Sequence, residues 1–195
     1  MALILESVNE LATAVLACVC QALEATAATV ENQPGCPCRS CVVPGTPAWD
    51  SCEDPCDGSD DTGGQLTVHV ARIYPTTEFP TETREVRGLK SCSATRIAVE
   101  LVITLLRCVP TMDEGSQCPP TCEATAAAAR VIQIDSATVL NALLCCVPSI
   151  GVRHRGPLYV IGQQKTLDPK GGCGGIEQRV TIALASCACP DEESP

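Results

Sequence analysis

Aromatic side chains are almost absent from this sequence, which contains one Trp, one Phe and two Tyr in 195 residues. A core built without them consists of Val, Ile, Leu and Ala, which bury less surface per side chain. Such a core gains from additional restraint, and cross-links or subunit contacts are the two ways to supply it.

Basic residues are also scarce. The chain has 13 Lys and Arg against 23 Asp and Glu, a formal charge of −10, which argues against binding nucleic acid through a wide basic face. The apolar stretch 1–28 lacks the basic start of a signal peptide, since the first cation is Arg39, and Glu6 and Glu10 interrupt it. No other stretch reaches the roughly 18 apolar residues of a membrane span. We therefore expect a soluble protein made in a cytoplasm.

Cysteine, by contrast, is abundant, with 16 residues. Five thiols are enough for a four-thiolate zinc site, although their spacing lacks the usual two pairs separated by two residues. Loop disulfides or free thiols are the favoured interpretation, and zinc stays the alternative. In a cytoplasmic protein these cysteines are reduced, metal-bound, or oxidised later in an exposed particle. The five are Cys36, Cys38, Cys41, Cys52 and Cys56.

Two segments have helical periodicity. Apolar residues recur at three- and four-residue intervals over 5–30, and again over 123–146. Thr121 is the predicted N-cap of the second helix, and Pro148 ends it. The adjacent pair Cys145-Cys146 is interpreted as one core-facing and one boundary thiol.

Four segments alternate as strands do, in the order helix, two strands, helix, two strands. This order predicts a single α+β domain over 1–195, with a mostly antiparallel sheet of about four strands packed with two main helices. The first two strands are expected to pair antiparallel. The strands are 65–75, 94–107, 157–165 and 177–185; the other predicted segments are a Cys-rich loop at 34–64, a polar arm at 76–90, a glycine turn at 171–175 and an acidic tail at 190–195.

No motif predicts catalysis. The pair Cys38 and Cys41 has a redox spacing, but the residues that follow cannot begin the helix that such a thiol needs. His69 is interpreted as a strand-surface residue and His154 as part of a solvated turn. A nucleophile elbow and a phosphate-binding loop are both missing. We expect no catalytic residue, no metal ligand and no cofactor.

Several ordered phrases together resemble a known family. They are Cys-Val-Val-Pro-Gly-Thr-Pro-Ala-Trp-Asp at 41–50, Gly-Gln-Leu-Thr-Val-His-Val-Ala-Arg-Ile-Tyr-Pro at 64–75, Phe-Pro at 79–80, Leu-Arg-Cys-Val-Pro at 106–110, Pro-Pro-Thr-Cys-Glu at 119–123, Cys-Cys at 145–146 and Gly-Gly-Cys-Gly-Gly at 171–175. In this order they resemble the tail terminator proteins of long-tailed, non-contractile bacteriophages of actinobacteria, over nearly the whole chain.

The resemblance implies a non-enzymatic virion protein, assembled in the host cytoplasm, at the junction of tail and neck. It implies a homo-hexameric ring that caps the tail tube and contacts the major tail tube protein, the tape measure protein and the head-completion (stopper) protein. DNA would pass through the lumen without sequence-specific binding, and no membrane is involved. Trp49, Tyr74, Phe79 and Pro80 are the expected interface residues. Another neck component, and a zinc- or redox-active domain, are the alternatives.

Overall fold

The computed structural model describes residues 4–47, 63–84, 96–110, 112, 118–149, 158–170 and 172–184. Its elements form an α+β fold with two helices and one five-stranded mixed sheet, which confirms the predicted class and adds a strand to the predicted four. In chain order the elements are α1 (Ile4–Ala27), β1 (Arg39–Val42), β2 (Gln65–Thr76), β3 (Arg96–Cys108), α2 (Cys122–Cys146), a 3-10 turn (Val147–Ser149), β4 (Tyr159–Lys170) and β5 (Cys173–Leu184).

The sheet has the strand order β1-β2-β3-β5-β4. The predicted antiparallel pairing of β2 with β3 is confirmed, with Leu66 opposite Leu105 and Val68 opposite Ile103. β5 pairs antiparallel with β3 and with β4, and β1 pairs parallel with β2. Since β3 lies in the middle of the sheet, it is buried on both faces along most of its length.

Both helices pack on one face of this sheet, which we call the helix-covered face. The periodic residues of α1 are buried there, and α2 adds Val139 and Leu143 to the same core cluster. Burying each such aliphatic side chain stabilises the fold by about 1.5–3 kcal/mol. The buried residues of α1 are Val8, Leu11, Ala12, Val15, Val19 and Leu23.

The start of α2 follows from its capping residue. The Oγ1 atom of Thr121 accepts a hydrogen bond from the backbone N–H of Ala124 at 3.2 Å, and Glu123 lies in the first turn of the helix. This confirms the predicted N-cap, which satisfies one of the N–H groups that have no partner within the helix.

The glycine cluster was predicted as a turn, which is right for Gly172 (φ 77°), between β4 and β5, but wrong for the residues after it. Cys173, Gly174 and Gly175 are the first residues of β5. A Cβ atom on Gly175 would lie 2.0 Å from the backbone oxygen of Leu105, so β3 and β5 approach each other closely because a side chain is missing.

The fifth strand lies within the segment that was predicted as a Cys-rich loop. Arg39–Val42 form β1, which pairs with the start of β2, Arg39 opposite Gln65 and Val42 opposite Val68. A strand of four residues has too few positions to show alternation, which is why its pattern escapes a sequence prediction. Residues 48–62 of that loop lie outside the described part of the chain.

Two disulfides fasten the helices. Cys18 of α1 is bonded to Cys146 of α2, and Cys20 of α1 is bonded to Cys36 in the segment that follows. The interpretation of Cys146 as a core or boundary thiol is therefore wrong, because its sulfur links the two helices. Its neighbour Cys145 is an exposed thiol.

A buried ion pair joins α2 to the end of β3. The Nε atom of Arg107 lies 2.8 Å from Oδ2 of Asp135, and both side chains are at most 4% exposed. Arg107 also donates to the backbone oxygen of Gly35, and Gln33 donates to Asp135 at 2.7 Å. Burial raises the pKa of Asp135, while the hydrogen bonds from Arg107 and Gln33 act against that rise. The pair thus connects β3, α2 and the segment after α1.

Candidate functional site

The sheet face opposite the helices carries a row of alternating charges, which we call the charged row. It crosses four strands because residues of opposite charge occupy neighbouring register positions. Arg72 of β2 lies directly opposite Glu100 of β3, and Glu177 of β5 lies directly opposite Lys165 of β4. The row consists of Glu82, Arg72, Glu100, Arg179, Glu177 and Lys165.

Glu100 is the centre of the charged row. One carboxylate oxygen accepts from Nε of Arg72 at 2.5 Å, and the other accepts from Nη1 of Arg179 at 2.7 Å. Burial disfavours the ionised form of Glu100, but the hydrogen bonds from the two arginines outweigh it, so the pKa of Glu100 is lowered. The carboxylate therefore holds two guanidinium groups in place on the sheet surface.

The ends of the row are less constrained. Glu177 accepts from Nη2 of Arg179 at 3.1 Å and from Nζ of Lys165 at 3.2 Å, while Glu82 lies 3.4 Å from Nη1 of Arg72. The side chains of Lys165 and Glu82 are about half exposed. Such exposed pairs contribute little stability, at most about 1 kcal/mol each, so their charges are available to a partner.

Three of the four predicted interface residues lie together, Tyr74 near the end of β2 and Phe79 and Pro80 in the loop that follows it. The ring of Tyr74 is buried beneath Arg72, whose guanidinium carbon is 4.6 Å from the ring centroid. The Tyr74 hydroxyl donates to the backbone oxygen of Pro80 at 2.9 Å. Phe79 is half-buried, Pro80 is exposed, and the peptide bond between them is cis. Tyr74 thus anchors the loop, and Phe79 and Pro80 form its surface.

Further hydrogen bonds close this loop, which spans residues 77–83. The backbone N–H of Thr83 donates to the oxygen of Pro75 at 2.8 Å, and the N–H of Thr77 donates to Oγ1 of Thr83 at 2.9 Å. The first part of the predicted polar arm is thus an ordered turn next to the charged row. Trp49, the fourth predicted residue, and residues 85–90 of the arm lie outside the described residues.

His69 was predicted on the strand surface, and this is wrong. It is 8% exposed, and its Nδ1 atom has no hydrogen-bond partner in the described part of the chain. Burial lowers the pKa of His69. The negative charge of Glu177 acts to raise this pKa, and the positive charge of Arg179 lowers it further. Alternation did assign His69 to the face opposite Val68, but it could not show that this face is buried at the position of His69.

The structure also bears on the zinc alternative. Cys36 and Cys38 are both disulfide-bonded, so neither supplies a free thiolate. Cys52 and Cys56 lie outside the described residues. Where the structure describes the chain, no three His, Cys, Asp or Glu residues are grouped so that they could hold a metal ion.

Sequence comparison adds no family to these observations. Neither a model of a known protein family nor any curated protein matches this chain. The candidate site therefore rests on its own geometry, which is a set of charge-assisted hydrogen bonds beside an anchored loop. This arrangement can order a surface and can pair with the charges of another protein.

Two helical segments, Ser7–Ala27 and Cys122–Ser149, are long and apolar enough to cross a membrane by length and composition. The second was not anticipated from the sequence. Two such helices are weak evidence for a membrane protein, since the core helices of a soluble fold meet the same criterion. Here both pack against the sheet through their buried stripes.

Proposed function

We propose that this chain is the tail terminator of a long-tailed, non-contractile bacteriophage. It assembles as a homo-hexameric ring on the last ring of the tail tube and ends tube polymerisation. The major tail tube protein and the tape measure protein are its partners on one side, and the head-completion protein on the other. DNA passes through the lumen without sequence-specific contacts. The protein is not an enzyme, needs no cofactor and no membrane, and resides in the virion after assembly in the host cytoplasm.

The loop at the end of β2 is the structural observation that most supports this proposal. A ring subunit needs surface segments whose shape is fixed before assembly, since ordering them on binding would weaken the contact. Tyr74 fixes the loop from below through its hydroxyl bond to Pro80, and the Thr77–Thr83 bonds close it. Phe79 and Pro80 are therefore presented to a neighbour with little loss of conformational entropy.

The strand order supports a subunit role as well. β4 is an edge strand of 12 residues, and most of its side chains are exposed. An edge strand presents backbone groups that another chain can pair with or cover. A core of small aliphatic residues also gains stability when neighbouring subunits add buried surface.

The deciding experiment is electron microscopy of lysates from a phage with a stop codon in this gene. Over-long tail tubes beside filled, tailless heads are expected, because nothing would end polymerisation. A plasmid copy of the gene is the control and should restore tails of normal length. Tails of normal length that fail to join heads would overturn the terminator role and assign the chain to head closure.

Residues of the loop allow a finer test in the same phage. Phe79→Ala is expected to lower the yield of joined particles while the purified subunit still unfolds cooperatively, because Phe79 is only half-buried and lies on the loop surface outside the core. Trp49→Ala is expected to act in the same way. A Trp49→Ala subunit that folds poorly yet assembles normally would contradict an interface role for that residue.

A further inference from the structure

Among the described residues, the helix layer and the charged row carry opposite exposed charges. On the helix layer, α1 contains no Lys or Arg, and Glu10 and Glu24 lie on the ridge opposite its buried stripe. Glu31 follows α1 and is exposed. The single cation of α2, Arg130, is exposed and donates to the backbone oxygen of Glu31 at 3.2 Å. The described helix layer therefore presents more carboxylates than cations.

The sheet surface presents the reverse, although the charged row contains equal numbers of cations and carboxylates. The side chains of Arg72, Arg179 and Lys165 are 55%, 45% and 51% exposed, whereas those of Glu100 and Glu177 are 9% and 14% exposed. Glu100 and Glu177 lie beneath the cations that they orient, whereas Glu82 at the end of the row is 51% exposed. In the charged row, a partner therefore meets three exposed cations and one exposed carboxylate.

Each surface also exposes large apolar side chains beside its charges. On the helix layer Leu140 and Leu144 are 37% and 49% exposed, one helical turn apart and away from the buried face of α2. On the sheet, Val160 of β4 and Leu158 just before it are 40% and 49% exposed. Large apolar side chains with charges around them are typical of protein interaction sites.

We propose that copies of this chain associate head to tail, with the helix layer of one copy against the charged row of the next. Two helix layers would repel each other because both are acidic, and two charged rows would repel because both expose mainly cations. A helix layer and a charged row attract each other. A head-to-tail contact uses two different surfaces of each subunit and generates a ring if the rotation between copies closes. This inference rests on the proposed function for its occupant, a second copy, and names the surfaces that the ring would use.

Two variants that each block one surface test this arrangement. Leu144→Arg places a cation on the helix layer, and Val160→Glu places an anion on the sheet surface; both sites are exposed, so both variants should fold. Met112→Lys, which adds a charge at a 61% exposed position after β3 that belongs to neither surface, is the control. Light scattering after gel filtration measures association, and thermal unfolding checks that each variant keeps the wild-type melting temperature.

Each blocked variant alone should associate at least about tenfold more weakly than the wild type, a loss of about 1.4 kcal/mol. An equimolar mixture should associate again, because the free sheet surface of Leu144→Arg meets the free helix layer of Val160→Glu. Wild-type association should weaken as salt rises, since the Debye length falls from about 10 Å at 0.1 M to about 3 Å at 1 M. The control should behave as the wild type.

Three results would overturn the arrangement. They are a wild type that stays monomeric at all concentrations, a blocked variant that still self-associates like the wild type, and a mixture that fails to associate. Together with the stop-codon phage, these measurements distinguish a failure of the contact from a failure of the terminator role. Normal tails in the stop-codon phage together with restored mixing would keep the head-to-tail contact and discard the terminator role. Over-long tails together with a variant mixture that fails to associate would keep the terminator role and discard the head-to-tail contact.

Discussion

Arg107 and Asp135 form a buried ion pair across 28 positions of sequence, with Nε and Oδ2 2.8 Å apart. The pair joins the C-terminal end of β3 to the middle of α2. Removing one partner of a buried pair leaves an uncompensated charge, which costs about 3–5 kcal/mol.

We therefore expect Arg107→Met to lower the free energy of unfolding by about 3–5 kcal/mol, and Arg107→Met/Asp135→Leu to lose less than the two single changes together. Urea unfolding measures both. Without Arg107 the pKa of Asp135 rises further, so the folded state binds more protons and the loss should be smaller at pH 4 than at pH 7. If the double variant lost as much free energy of unfolding as the two single variants combined, the two residues would act independently.

The neighbouring residues Cys145 and Cys146 provide a matched pair of substitutions. The Cys18–Cys146 bond links residues 128 positions apart, and a loop of this length restricts the unfolded chain by about 4–5 kcal/mol. Cys146→Ala should lower the melting temperature by roughly 10 °C, at about 2–4 °C per kcal/mol for this chain length. Cys145→Ala should leave it unchanged, and dithiothreitol should remove the difference. Equal melting temperatures without reductant would contradict the bond.

His69 should make stability depend on pH. Its pKa in the folded protein is lowered by burial, so the unfolded chain, which titrates near 6.5, binds more protons below that pH. The free energy of unfolding should therefore fall as the pH decreases from 6.5 towards the lowered pKa. The groups that face His69 across the strands include Glu177 and Arg179.

His69→Gln should abolish this slope, measured by urea unfolding between pH 7.5 and pH 5. His154→Gln, which changes the other histidine of the sequence, is the control and should keep it. If the slope survived in His69→Gln and vanished in the control, the assignment to His69 would be wrong.

Leu101 and Ile73 share the helix-covered face of the sheet but differ in exposure, at 0% and 49%. Leu101→Asp should abolish cooperative unfolding, because it buries an unpaired charge in the centre of the core. Ile73→Asp should leave a folded protein with nearly unchanged stability. Circular dichroism and thermal melts distinguish the two outcomes, and a folded Leu101→Asp protein would contradict the position of β3.

Tyr74→Phe removes only the hydroxyl that donates to Pro80. The expected loss is about 0.5–1.5 kcal/mol, with faster hydrogen exchange at the N–H of Thr83, which the closed loop protects. Tyr159→Phe on β4 is the matched control and should not change that exchange rate. Unchanged exchange in Tyr74→Phe would mean that the loop closes without this bond.

Periodicity alone predicted most of the fold because repeated local contacts specify each element. The stripe of α1, the cap at Thr121 and the alternation of β2 and β3 all appear where expected. Prediction from the sequence failed where an element is short, or where one residue type occurs in two kinds of structure. β1 has four residues, and glycine serves both in turns and in strands that approach closely.

The candidate site was predicted only in part. Tyr74, Phe79 and Pro80 were expected at subunit contacts or as anchors of the loops that make them; that role stays a prediction, and the structure brings Tyr74 and Pro80 into contact. The charged row was not anticipated, because Arg72, Glu100 and Arg179 come from three strands whose register no local pattern reveals. The burial of His69 was not anticipated for the same reason.

By itself the sequence determined the class of fold, the two helices, the pairing of β2 with β3 and the acidic balance of the chain, since all of these follow from local periodicity and composition. Only the tertiary structure decided which cysteines bond, which carboxylates lie beneath cations and which surface each charge occupies. These are contacts between residues far apart in the chain, such as Cys18 with Cys146 and Glu100 with Arg179. Their existence depends on strand register and helix placement, which the core sets as it packs.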